Sequence, residues 1–133
     1  MKFLLGTDTC IYAIKQDASV LRRLLSESRA DIAVGVITEG ELRTGAAKSS
    51  NADKTRRRVE NFLRPLSILE FTSEDAASYA QIRARLERAG TPIGPLDTLI
   101  AAQAVLRKLT LVTNNQREFS RIPGLRVENW SAD

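Results

Sequence analysis

Residues 90–113, GTPIGPLDTLIAAQAVLRKLTLVT, place a punctuated helix start, a helix and a short β-branched run in immediate succession. Gly90 can take the left-handed conformation that ends a preceding helix, and Pro92 prevents that helix from continuing. Gly94-Pro95 restarts the chain with proline in the first helical turn. The spacing predicts a helix from Pro95 to about Arg107, with Leu96, Leu99, Ile100, Gln103 and Ala104 on an apolar side. Asp97, Ala101 and Ala104 trace a neighbouring side of small residues. Leu109–Thr113 then reads as a buried strand. Asp97 is the only acid of the stretch. In the first turn it lies in the positive field of the helix N-terminus, which makes it first a complement to that dipole and also suits it to holding a cation.

The same alternation extends outward to both ends. Lys2–Leu5 is a short apolar strand, and Gly6-Thr7-Asp8-Thr9 a turn in which Asp8 caps a helix starting near Thr9. An amphipathic helix carrying Val20, Leu21, Leu24 and Leu25 follows Asp17 and Ser19, and Asp31–Gly35 is a second strand. Thr38 and Glu41 have the spacing of a capping box for a helix that runs to about Lys48. Lys54–Leu63 is a basic helix with Arg56, Arg57 and Arg58 in succession, and Leu66–Phe71 alternates as a strand. Thr72–Asp75 opens a helix to Ala89, whose inner side is expected to carry Ala76, Tyr79, Ile82 and Leu86, with Arg83 and Glu87 pairing weakly outside. A polar segment plugged by Phe119 and an edge strand at Gly124–Glu128 complete the chain. With no repeat, linker or low-complexity segment, residues 1–133 read as one α/β domain, a mainly parallel central sheet flanked by helices.

Composition narrows the chemistry. At 133 residues and 43% hydrophobic content the chain can bury a core without disulfides or a structural metal. Its single cysteine, Cys10, lies beside Ile11 and Tyr12, where a buried thiol is expected. A reducing cytoplasm fits, and no apolar run is long enough for a membrane span or a signal peptide. Twenty Lys and Arg against sixteen Asp and Glu give a net charge of +4, which suits an anionic partner such as nucleic acid. There is no histidine. Imidazole acid–base chemistry and histidine-ligated zinc are therefore excluded, leaving carboxylates, hydroxyls or a carboxylate-held metal.

In a parallel α/β sheet ligands bind beyond the carboxyl ends of the strands. Asp8 follows the first strand, Glu41 opens the helix after the second, Asp97 stands at a helix start and Glu118 follows the Thr113 strand end. Acids gathered there would repel unless a divalent cation neutralised them, and Mg²⁺ or Mn²⁺ prefers oxygen ligands. Each of them is also placed to cap a helix or complement its dipole, so spacing alone leaves both readings open.

A set of ordered motifs adds to this: T-x-x-C-I-Y after the first strand, I-T-x-x-E-L-x-x-G-A-x-K-S at 37–49 and G-T-P-I-G-P-x-D-x-L-I-A-A at 90–102. L-V-T-N-N-x-R-E-F at 111–119 and P-G-L-R-x-E-N-W at 123–130 follow. Together they resemble the PIN-domain ribonucleases of the VapC-like toxin family along almost the whole chain. The resemblance implies a Mg²⁺- or Mn²⁺-dependent endoribonuclease that cuts structured RNA, often tRNA, is silenced by a cognate antitoxin and forms homodimers. It carries metal-site roles over to Glu41, Asp97 and Glu118; beside them Thr7, Asp8 and Asn115 are placed to support the same cleft, and Arg56, Arg57 and Arg58, otherwise a solvated surface, would contact RNA phosphates. One position departs from the pattern: where relatives carry an aspartate followed by Thr-Asn, this chain has Gly6-Thr7-Asp8. An engineered inactivation, which the intact remaining motifs favour, a natural loss of activity and a shifted role for Asp8 are the competing explanations. A module that binds antitoxin or RNA without cutting is the alternative function.

Overall fold

The computed structural model describes residues 1–131, so the last two residues of the expected 1–133 domain lie outside the described residues. Five strands, β1 (Phe3–Leu5), β2 (Ile32–Gly35), β3 (Ser67–Leu69), β4 (Thr110–Val112) and β5 (Arg126–Glu128), form one sheet in the order β3-β2-β1-β4-β5. Every adjacent pair is parallel, so the sheet is wholly rather than mainly parallel. Between the strands run α1 (Thr7–Ile14), α2 (Ala18–Ser26), α3 (Val36–Ala47), α4 (Ala52–Leu63), α5 (Ser73–Arg88), α6 (Pro95–Leu106) and α7 (Gln116–Phe119).

Alternation along the strands builds two cores. Phe3, Leu5, Ile32, Val34 and Val112 face one layer with Cys10, Leu42, Val59 and Trp130, while Leu4, Ala33 and Leu111 face the other with Ile100, Ala101, Ala104 and Phe119. Burying a large apolar side chain of this kind contributes roughly 1.5–3 kcal/mol, so a short three-residue strand is held by its two covered faces and not by its own length. Cys10 is fully enclosed as expected, and burial, followed by the nearby Asp8 charge, pushes its thiol pKa up.

The punctuation at 90–95 is realised in detail. Gly90 has φ +73°, its N–H donates to Glu87 O at 3.1 Å, and the Thr91 N–H donates to Leu86 O at 2.9 Å. This paired closure satisfies the last carbonyls of α5, and Gly94 then stands as the residue before Pro95 in a fresh helix. On the inner face of α5 Leu86 is buried and Ile82 packs against the core as expected, but Ala76 is exposed, Asp75 is buried instead, and the Ser78 hydroxyl donates to Ala102 O of α6 at 3.0 Å. Small residues on α6, Ala101, Ala102 and Ala104, let the two helices approach closely enough for that bond. Among the described residues no helix is long and apolar enough to cross a membrane.

The chain moves outward from β1 through β2 to β3, then returns to place β4 on the other side of β1. The crevice at the carboxyl ends of β1 and β4 is the switch point of the sheet, where open α/β folds hold their ligands.

Candidate metal and nucleic-acid site

At that switch point lies a cleft of about 270 Å³ lined by Gly6, Thr7, Asp8, Ile11, Glu41, Asp97, Ile100, Thr113, Asn115 and Phe119. Gly6 and Thr113 come from the ends of β1 and β4, Thr7 and Asp8 from the first turn of α1, Glu41 from α3 and Asp97 from the first turn of α6. Sequence positions more than a hundred residues apart are thus brought to one place by the strand order.

Two expected caps prove to be something else. Helix α3 begins directly after β2 at Val36, with Gly35 before it and no side-chain cap, so Thr38 and Glu41 do not form a capping box. Thr38 is buried, and the Thr7 hydroxyl lies 3.2 Å from its oxygen while donating to Glu41 Oε1 at 2.6 Å. Thr7 therefore fixes the direction of Glu41 from the neighbouring strand end. Asp8 does not cap a helix at Thr9 either, because α1 already starts at Thr7. Its carboxylate accepts from the Thr9 N–H at 2.8 Å and reaches across the sheet edge to the Thr113 hydroxyl at 3.1 Å and the Asn114 N–H at 2.8 Å.

Asp97 is half-buried and, among the described residues, has neither a hydrogen-bond donor nor an ion-pair partner. Its carboxyl is raised above the ordinary range, first by burial and then by the negative charges of Glu41, Glu118 and Asp8. Glu118 does not line the cleft, yet its charge is felt at Asp97 from α7. Asn115 does line it, with its N–H held by the Thr113 hydroxyl at 3.0 Å. Arg56, Arg57 and Arg58 are exposed on α4 and none reaches the cleft; Arg56 pairs with Asp53 at 3.6 Å. Thr38 and Thr113, the two residues that anchor Glu41's partner and Asp8, read from the sequence only as a helix cap and a strand end. A hydroxyl residue at the carboxyl end of a parallel strand, as Thr113 is, was the available signal.

The donor set matches a hard divalent cation in kind: it is all oxygen, anionic and mutually repelling. It is short in number, since among the described residues no three Asp, Glu, Cys or His side chains form a ready cage, and Gly6 contributes no side-chain oxygen at the end of β1.

The PIN domain model matches residues 4–125. Over 130 residues the chain is 42% identical to the tRNA(fMet)-specific endonuclease VapC of Salmonella typhimurium, covering 98% of each. It is 38% identical to the protein of the same description from Shigella flexneri, covering 98% of this chain and 99% of that one. Among solved structures, DNA-bound VapBC from Salmonella typhimurium superposes with a TM-score of 0.93 at 42% identity over 98% of each chain. The chain belongs to the PIN-domain family and, within it, to the VapC group.

Proposed function

We propose that this chain is a Mg²⁺- or Mn²⁺-dependent endoribonuclease toxin that cuts structured RNA of the tRNA class in the cytoplasm, acts as a homodimer and is silenced by a cognate antitoxin. The observation that carries the enzymatic part is the unneutralised carboxylate crowd at the switch point, with Asp97 at its centre. The VapC relatives described as tRNA(fMet)-specific endonucleases support the substrate class, and the VapBC structures support the antitoxin.

Asp97, Glu41 and Glu118 would hold the cation. When bound, it supplies charge neutralisation and Lewis acidity for phosphodiester hydrolysis. Thr7 keeps Glu41 turned into the cleft, which spares the site a reorganisation on loading. Asn115 offers hydrogen bonds to the scissile phosphate, and Arg56, Arg57 and Arg58 on α4 meet more distant phosphates of a long RNA. Gly6 itself contributes no carboxylate at the end of β1. That gap also favours the second reading, a module that binds RNA or antitoxin without cleavage.

Incubation of a tRNA pool with Mn²⁺ separates the two. Cleavage is expected to vanish with a chelator, to fall on the order of 1000-fold with Asp97→Asn, and to be kept with Gly6→Asp when Asp8→Asn accompanies it. If neither the unsubstituted chain nor the Gly6→Asp variants cut tRNA in a metal-dependent way, the nuclease reading fails and the binding module stands.

A further inference from the structure

We propose that Asp8 supplies to the cation the carboxylate that Gly6 lacks, so that the acid of the opening strand has moved two residues into α1 and the glycine makes room for it. This inference rests on the cation site described above.

Three observations meet at this position. A Cβ placed on Gly6 would lie 3.1 Å from Val112 O, 3.5 Å from Thr113 Cβ and 3.2 Å from Asp8 Oδ1, so the Asp8 carboxylate stands against the space a side chain on residue 6 would enter. Gly6 has φ −72° and ψ 164°, an extended conformation open to any residue, so no backbone requirement explains a glycine there. And the Asp8 carboxylate is held in place from outside its own helix by Thr113 and Asn114, with the Thr113 hydroxyl shared between its two oxygens at 3.1 and 3.2 Å.

That hold orients the group without exhausting it. Three hydrogens, from Thr9 N, Thr113 Oγ1 and Asn114 N, serve two carboxylate oxygens that between them accept about four bonds. An anion placed in the first turn of α1, lining the cleft and repelling Asp97, keeps acceptor capacity for a cation. The arrangement has a consequence particular to this chain: a side chain at residue 6 brings its Cβ to 3.2 Å from Asp8 Oδ1, so restoring an acid there while Asp8 remains requires the Asp8 carboxylate to shift.

Calorimetric titration of the full chain with Mn²⁺ tests the assignment, with thermal unfolding in chelator checking that each variant is folded. Asp8→Asn is expected to weaken Mn²⁺ binding on the order of 10–100-fold. Gly6→Asp alone is expected to leave affinity within a few-fold of the unsubstituted protein, whereas Gly6→Asp with Asp8→Asn restores tight binding. Asp8→Asn would thus be harmful beside Gly6 and harmless beside Gly6→Asp, and the double variant shows that the substitution itself does not unfold the chain. If Asp8→Asn binds Mn²⁺ as the unsubstituted protein does while Asp97→Asn loses it, Asp8 is only a clamp on the end of β4 and this inference falls alone. If Asp97→Asn also changes nothing, or if no variant binds Mn²⁺, the cation site itself is wrong and the inference falls with it.

Discussion

Asp75 and Asp97 hold the same place in two neighbouring helices, the third residue of α5 and of α6, and their circumstances are opposite. Asp75 is wholly removed from solvent, yet Thr72 N–H donates to it at 2.8 Å, Gln103 Nε2 at 3.3 Å and Arg107 Nη2 at 2.9 Å. Burial alone would raise its carboxyl, but the Arg107 guanidinium and the Thr72 donors outweigh burial and pull it below the ordinary range. Asp97 is less buried but has no donor to offset burial, and the charges of Glu41, Glu118 and Asp8 add to it, so its carboxyl is raised. Depth in the protein does not decide how an acid behaves; the donors around it do. The acid satisfied from within holds the fold together, and the one left unsatisfied is open to something from outside.

Breaking the satisfied acid should have the larger effect on stability. Asp75→Asn leaves Arg107 without its counter-charge and turns one of the two acceptor oxygens used by Thr72, Gln103 and Arg107 into a donor amide, so a loss of roughly 3 kcal/mol is expected in urea unfolding. The same change in the unsatisfied acid should act with the opposite sign. Asp97→Asn relieves repulsion from Glu41, Glu118 and Asp8, and in metal-free buffer at neutral pH a gain of about 1 kcal/mol is expected. A loss there would mean that a donor compensates Asp97 after all.

The smallest effect, and the sharpest discriminator, is the pH profile. Asp97 binds its proton more tightly folded than unfolded, so it costs stability as pH rises from the ordinary value near 3.8 through its raised one. Asp75 binds its proton less tightly folded, so its contribution is present above that ordinary value and is lost as pH falls through the lowered one. The difference in urea midpoint between Asp97→Asn and the unsubstituted chain should therefore close in acid below about pH 4 and open as pH rises. For Asp75→Asn the difference should be full at neutral pH and shrink in acid. Parallel profiles for the two variants would overturn the comparison.

The reach of sequence reasoning can be seen at particular residues. Gly90, Gly94 and Pro95 punctuate the chain where their backbone preferences say they should, because those preferences are local and no neighbour can override them cheaply. The Thr72–Asp75 cap was legible for the same reason. The Thr38–Glu41 spacing misled because a strand that passes straight into a helix moves the cap position back to Gly35, and the spacing of two residues does not report where the helix begins. Asp8 was misassigned as a cap because its partners, Thr113 and Asn114, lie more than a hundred residues away. Nor does any local rule couple Asp75 to Arg107 just past the end of the next helix.

By itself, the sequence determined the alternation of helices and short apolar strands, the absence of histidine chemistry, the enclosure of Cys10 and the place where α6 begins. All of these follow from periodicity, composition or the conformational limits of single residues. Only the tertiary structure decided that β1 lies between β2 and β4, which carries Gly6, Asp8, Glu41 and Asp97 to one cleft. It also decided which acids are satisfied and which are not, because the charge state of a carboxylate depends on donors and like charges within a few ångströms, and those neighbours come from strand order rather than from nearness along the chain.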